Sequence, residues 1–280
     1  MKLVSFVTAG TPSYGIYRDD GIVDAGARLS HYRDLASALT DIAALEALAD
    51  APADHDAASV TLLPPIPRSE RIVCVGLNYK SHIAETGNDT PAHPILFARY
   101  PDSLVADGAP IVRPRVSERF DFEGELAVVI GKPGRHIQSE RALEHVAGYA
   151  CFNDGSVRDF QRHTSQFMPG KTFDRSGAFG PWLVTPDEAG GVNALQLTTR
   201  LNGEVVQQTG IDDLLFGVEA LIAYVSQIWE VRPGDVIATG TTGGVGAVRK
   251  PPLWMKPGDT IEVEIDRLGT LTNTVIDEER

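Results

Sequence analysis

Two cysteines in 280 residues exclude a disulfide-stapled scaffold of the kind that small secreted domains rely on. Cys74 and Cys151 lie in the apolar runs RIVCVG and GYACFN, where they read as buried free thiols in a reducing compartment. An excess of basic residues is missing too. Lys and Arg number 25 against 38 Asp and Glu, giving a net charge of -13 and a pI near 4.9. With no basic stripe to neutralise phosphates, nucleic acid is not an expected partner. No window approaches the roughly eighteen apolar residues that cross a bilayer, so neither is a membrane. The apolar start LVSFV is short for a signal peptide and runs into Gly10-Thr11-Pro12 without a cleavage-site pattern. A cytoplasmic location is the expectation. Internal repeats and low-complexity segments are also missing.

What is present fits a globular chain: 42% hydrophobic and 22% charged residues, with length for one large domain or a large and a small one. Residues 2–8 and 14–24, with Asp19-Asp20-Gly21 as a turn, predict a short antiparallel sheet. Residues 33–49 carry apolar side chains at helical spacing and predict one or two short helices. Leu63-Pro64-Pro65-Ile66-Pro67 then reads as a stiff extended linker. We therefore expect a small N-terminal α+β domain over residues 1–66 and a catalytic domain over 67–280. Beyond residue 70, β-rich runs at 93–99, 125–130, 147–152, 181–184, 195–201, 204–207, 235–238, 260–265 and 270–276 alternate with Gly, Pro and Asp turns. Helical patterns are few: 80–86, 139–146, 156–163 and 211–229. The class is α+β and β-dominated, a barrel or sandwich rather than a doubly wound sheet.

Chemistry concentrates in Asp121-Phe122-Glu123-Gly124-Glu125, which leads into the apolar run LAVVIG. On a strand, residues two apart share a face, so Glu123 and Glu125 would project together. Such a run is often only the solvated face of an edge strand. The alternative is a hard divalent cation between the carboxylates, with Asp154, after GYACF, as a third oxygen ligand. Asp121 shares the face but reads as an outlying or surface group. His82 and Glu85 stand one helical turn apart, where a carboxylate fixes an imidazole tautomer and raises its basicity. Thr239 to Gly246 is a glycine-rich loop, but it lacks Gly-Lys-Ser/Thr and is followed by Lys250-Pro251-Pro252, which argues against a nucleotide loop.

These segments, together with Gly76-Leu77-Asn78-Tyr79, Asn153-Asp154-Gly155-Ser156-Val157-Arg158-Asp159, Gly170-Lys171-Thr172-Phe173-Asp174, Leu201-Asn202-Gly203-Glu204 and Thr239-Gly240-Thr241, resemble the fumarylacetoacetate hydrolase superfamily over roughly residues 70–275. The resemblance implies a mixed, rolled β-sheet or barrel with a metal at its open end, and a homodimer. It implies Mg²⁺ or Mn²⁺ on Glu123, Glu125 and Asp154, a His82–Glu85 dyad carried on a lid, and Lys171 stabilising negative charge. Thr241 would line the site, although Thr242 replaces the family's proline. Arg158 and Gln161 are candidate substrate contacts, with Arg158 equally readable as half of a structural ion pair. Arg99 stands where many relatives carry lysine; it reads either as a bidentate partner for a distal substrate carboxylate or as a surface residue. The activity implied is metal-dependent hydrolysis of a C–C bond in an acylpyruvate-type 2,4-dioxo acid, a small 2-oxo acid substrate of aromatic catabolism. The alternatives are a decarboxylase acting on oxaloacetate or an isomerase using the same metal, and a non-catalytic metal-binding protein. The apolar stretch Leu214, Leu215, Phe216, Val218 and Leu221 offers a surface for the expected dimer.

Overall fold

The structure, a computed structural model, describes residues 1–279. Its largest unit is an 11-stranded mixed sheet. Along the sheet nine strands run Gly21–Asp24, Thr11–Arg18, Lys2–Thr8, Gly177–Val184, Val146–Asn153, Gly124–Ile130, Val236–Thr241, Ile72–Gly76 and Ile95–Arg99, and two more pair off this path, Thr61–Leu63 with Lys2–Thr8 and Leu104–Val105 with Gly177–Val184. Neighbours in that order are antiparallel except Val236–Thr241 beside Ile72–Gly76, which are parallel. A second sheet of five strands is built on Gln196–Leu201, Thr260–Ile265 and Gly269–Asp277. The fold is β-dominated as expected, and the order of the large sheet does not close on itself, so the rolled sheet is not a closed barrel.

The strand Gly124–Ile130 is buried along its whole length. Leu126, Val128 and Ile130 enter the core facing the second sheet, together with Leu197, Ile261 and Val263. Ala127 and Val129 belong to the core on the other face. A strand covered on both faces reads as an unbroken apolar run, which is why LAVVI shows no polar alternation.

Residues 1–66 join this second core and the same sheet. Lys2 and Leu3 pair with Val184 and Leu183. Leu3, Tyr14, Leu35 and Leu45 pack in one cluster with Ile72, Phe152 and Leu183. We propose from this continuity that the two segments unfold together. Leu3→Ala, at a fully buried position, is expected to cost about 2–5 kcal/mol and to lower a single thermal transition. Two transitions, only one of them shifted, would mean that the segments are independent.

Two helical expectations changed. Residues 156–163 begin as a short strand, Ser156–Val157, paired with Phe120–Asp121, and only Arg158–Gln161 is helical. The stretch 211–229 splits into a 3₁₀ turn at Ile211–Asp213 and a helix at Val218–Ile228. Between them the helix is interrupted, because the Leu215 N–H donates to the Asn78 carbonyl and the Phe216 N–H to Asn78 Oδ1. Side-chain and backbone bonds from a distant loop outweigh local helix propensity there. The helix buries Val218, Leu221, Ile222 and Val225 in the chain's own core. Much of its apolar content is thereby accounted for within one chain, while Ile228 at its end is exposed. Among the described residues no helix is long and apolar enough to cross a membrane.

Candidate active site

Two adjacent strands bring the acidic residues together. Glu123 immediately precedes Gly124–Ile130 and Glu125 lies within it; Asp154 follows Val146–Asn153, in which Asn153 pairs with Gly124. The Asp154 N–H also donates to the Glu123 carbonyl at 2.8 Å. Carboxylate oxygens of Glu123, Glu125 and Asp154 lie within 4.8 Å of one another, and all three residues are buried. They line a cavity of about 350 Å³. The reading of this run as a solvated edge is thereby removed.

The surrounding cations are unevenly shared. Lys171, from the turn Met168–Lys171, contacts Glu123 and donates to Asp154 Oδ2 at 2.6 Å. Arg158 pairs with Glu123 Oε1 and Asp121 Oδ2, both at 2.7 Å. Burial pushes the Glu123 carboxyl up, but Arg158 and Lys171 outweigh it and hold the group at about 2. Glu125 differs. Burial and the charges of Asp154 and Glu123 push it well above the usual carboxylate range, and Lys171 and the Gly240 N–H oppose this only weakly. Among the described residues no cation forms an ion pair with Glu125. Three buried oxygen donors, one of them without a counter-charge, fit a hard divalent ion such as Mg²⁺ or Mn²⁺.

His82 stands on the helix Lys80–Thr86 and lines the same cavity. Its Nδ1 is 2.7 Å from Glu85 Oε1. An ionised carboxylate only accepts, so Nδ1 carries the proton and Nε2 is left as a base. The helix is tied down by the Ser81 N–H donating to Asp213 Oδ2 and the Gly243 N–H donating to Ser81 Oγ.

The glycine-rich loop is an anion cradle for the protein's own carboxylates. Gly240 N–H donates to Glu125 Oε2, Gly244 N–H to Glu85 Oε2, and the Gly246 and Ala247 N–H groups to Asp121. Gly240 and Gly244 hold φ of +105° and +102°, and a Cβ at Gly244 would lie 2.2 Å from the Val206 carbonyl oxygen. No other residue fits there without moving the loop. The loop thus grips the dyad, one of the three clustered carboxylates and the partner of Arg158. Asp121 is fully buried and is no surface group. Asp121→Ala leaves Arg158 with one carboxylate and the loop with two unsatisfied donors. It is expected to lower stability by about 3–5 kcal/mol, read from the denaturant midpoint.

Gln161 and Thr241 both line the cavity. Gln161 Oε1 accepts from Arg158 Nη1 at 2.9 Å. Thr241 Oγ1 donates to the Gly124 carbonyl and accepts from Gln207 Nε2. Arg158 forms the ion pair that was one of its two readings, yet its Nη2 is buried with no protein partner. Arg99 is elsewhere. Its side chain is fully buried behind Asp154, 2.6 Å from Oδ1, and its remaining donors go to Ser103, Gly155 and Ser176. With every donor engaged and no place on the cavity wall, it holds Asp154 rather than a substrate carboxylate. Sequence reading also missed Gln207, whose buried amide bonds the Gly124 N–H, Thr241 and Thr242. A glutamine in a plain β-run carries no signal of this.

The family model described as Fumarylacetoacetate (FAA) hydrolase C-terminal matches residues 71–276. A human (Homo sapiens) protein named mitochondrial oxaloacetate tautomerase FAHD2A is 45% identical over 219 residues, covering 78% of this chain and 70% of that protein. A fumarylacetoacetate hydrolase from psychrophilic Exiguobacterium antarcticum superposes with a TM-score of 0.82 at 34% identity, covering 99% of this chain and all of the other. Maleylpyruvate hydrolase from Sphingobium sp. SYK-6, solved with manganese(II) and pyruvate, gives 0.83 at 28% identity over the full length of both chains. The human relative's name places that protein in mitochondria, whereas the sequence alone led to a cytoplasmic expectation.

Proposed function

The chain belongs to the fumarylacetoacetate hydrolase superfamily, and from that membership we propose a metal-dependent enzyme that enolises a small 2-oxo acid. The reading supported best is interconversion of the keto and enol forms of an oxaloacetate-like 2-oxo dicarboxylate. The observation that carries it is one cavity that joins a buried three-carboxylate cluster to a His–Glu dyad. A similarity to oxaloacetate tautomerases at 45% identity adds weight.

When bound on Glu123, Glu125 and Asp154, a divalent ion supplies Lewis-acid polarisation of the 2-oxo group and charge for the adjoining carboxylate. Arg158 and Lys171, both on the cavity lining, orient the acid end and stabilise the negative charge that develops on the 2-oxo oxygen. His82 takes a proton from C3 at Nε2, with Glu85 stabilising the imidazolium, and returns it to the oxygen of the enolate. The proton count is unchanged and no bond between carbons breaks.

A second reading, hydrolysis of an acylpyruvate, uses the same parts. His82 would deprotonate a water that attacks the distal carbonyl, and the C–C bond would break to give a carboxylic acid and the pyruvate enolate, which is then protonated. The neighbour named maleylpyruvate hydrolase favours it. Purified protein with Mg²⁺ is expected to speed loss of enol-oxaloacetate absorbance well above the buffer rate and to release little pyruvate from acylpyruvates. Rapid pyruvate release from an acylpyruvate, with no tautomerase rate, would replace the first reading by the second. Homodimerisation is proposed on the family resemblance alone; light scattering that returned only a monomer mass at micromolar concentration would reject it.

A further inference from the structure

Four cationic or potentially cationic side chains line the cavity: His82, Arg158, Arg162 and Lys171. Three are already engaged. Lys171 is held by Glu123 and Asp154, Arg158 by Asp121 and Glu123, and His82 by Glu85. Arg162 differs from all of them. It is exposed, it ends the helical turn Arg158–Gln161, and its backbone N–H is capped by the Asp159 and Phe160 carbonyls. Among the described residues its guanidinium forms no ion pair or hydrogen bond. Thr164 and Asn88, two further polar groups without an acidic charge, also line the cavity.

We infer that Arg162 recognises the distal carboxylate of a 2-oxo dicarboxylic acid whose 2-oxo acid end sits at Glu123, Glu125 and Asp154. The inference rests on the enolising function proposed above and names the residue that reads the far end of its substrate. Arg162 follows Arg158 by four residues across a helical turn, and one turn advances roughly 5 Å. A second carboxylate a few bonds beyond the 2-oxo group therefore comes within reach of the guanidinium. The need is electrostatic. The chain carries a net charge of -13, and the inner end of the cavity is lined by carboxylates, so a dianion has to be drawn in by a cation whose charge is not already compensated. A guanidinium also binds a carboxylate through two parallel N–H donors, which selects for the planar anion. This task was one of the two readings of Arg99; Arg99 is saturated behind Asp154, and Arg162 has free donors and solvent access.

The experiment is calorimetric titration of the full, Mg²⁺-loaded chain with 2-oxoglutarate and with 2-oxobutanoate, a dicarboxylate and a monocarboxylate that share the 2-oxo acid end. For the native protein the dicarboxylate is expected to bind more tightly, with an affinity that weakens as KCl is added. In Arg162→Gln, 2-oxoglutarate should bind about tenfold more weakly, with 2-oxobutanoate unchanged. Arg162→Lys should recover part of the loss. With oxaloacetate as substrate, KM should rise while kcat stays near native, as expected for uniform binding. Arg162 is exposed, so its variants should melt at the native temperature. Equal native affinity for the two acids, or an Arg162→Gln protein that binds both as the native one does, overturns the inference and leaves the enolising function standing. A Mg²⁺-loaded native protein that binds neither acid overturns that function, and the inference with it.

Discussion

Replacing Glu123 with alanine is expected to abolish turnover of every 2-oxo acid and to remove any rise in melting temperature on adding Mg²⁺ or Mn²⁺. Glu123 supplies one of three clustered carboxylates and is also where Lys171 and Arg158 converge. Its loss therefore removes a donor and leaves Lys171 and Arg158 each with one carboxylate partner, Asp154 and Asp121, so that their charge is less compensated toward an incoming metal. In the native protein, an ion at a hundredfold excess over its Kd adds about 2.7 kcal/mol of stability, a shift of several degrees that differential scanning fluorimetry resolves. Because the alanine variant also disturbs a buried ion network, Glu123→Gln is the companion: it keeps the shape and loses the charge. EDTA should reproduce the loss of activity in the native protein, and added Mg²⁺ should restore it. Full activity in EDTA, or a melting temperature that rises with Mg²⁺ in both variants as in native protein, would remove these carboxylates from the chemistry.

His82→Ala should cost about 10²–10⁴-fold in turnover, the usual contribution of a positioned general base, with metal affinity unchanged. The two halves of the site are then separable. Proton transfer at C3, or water attack on an acylpyruvate, needs the imidazole. Loss of CO₂ from oxaloacetate needs only electrostatic stabilisation of the enolate, so any decarboxylation by the native protein should largely survive. Glu85→Gln should give a smaller loss, since the imidazole remains but its tautomer is no longer fixed. If His82→Ala kept native tautomerase and hydrolase rates, the dyad would have no part in catalysis.

The sequence carried the Glu123/Glu125 pair and the dyad because both are short-range patterns. Glu123 and Glu125 lie two residues apart at the start of an apolar strand and His82 and Glu85 three apart on a helix, so local periodicity pairs them. Spacing alone, however, favoured a solvated edge, and Asp154 and the assigned roles came from the family resemblance. The strands were legible for the same reason: Thr260–Ile265 occupies the span that its β-branched residues predicted. What failed was long-range. Arg99 and Arg162 look alike in sequence, each an arginine near an aromatic residue. Which is saturated and which is free depends on contacts across as many as 77 positions, such as that between Arg99 and Ser176. The break before Val218 depends on Asn78, whose separation of 138 residues from Phe216 no local pattern encodes. The proline linker reads as a boundary; the packing of Leu3, Tyr14 and Leu35 with Ile72 and Phe152 across it is a long-range contact that no local pattern encodes.

The loop from Gly240 to Ala247 has a bearing on how such proteins diverge. Its backbone N–H groups are shared by Glu85 of the His82–Glu85 pair, a carboxylate of the cluster and the anchor of Arg158, so a substitution that reshapes it alters all three at once. Mutational paths through this segment should be strongly epistatic, with few single steps tolerated. New specificities would then be more readily reached by changes at the rim, around Asn88 and Arg162 to Phe167, where a side chain can be exchanged without touching the shared scaffold. A random-mutagenesis library selected for altered substrate use would be expected to leave the loop untouched and to accumulate its changes at that mouth.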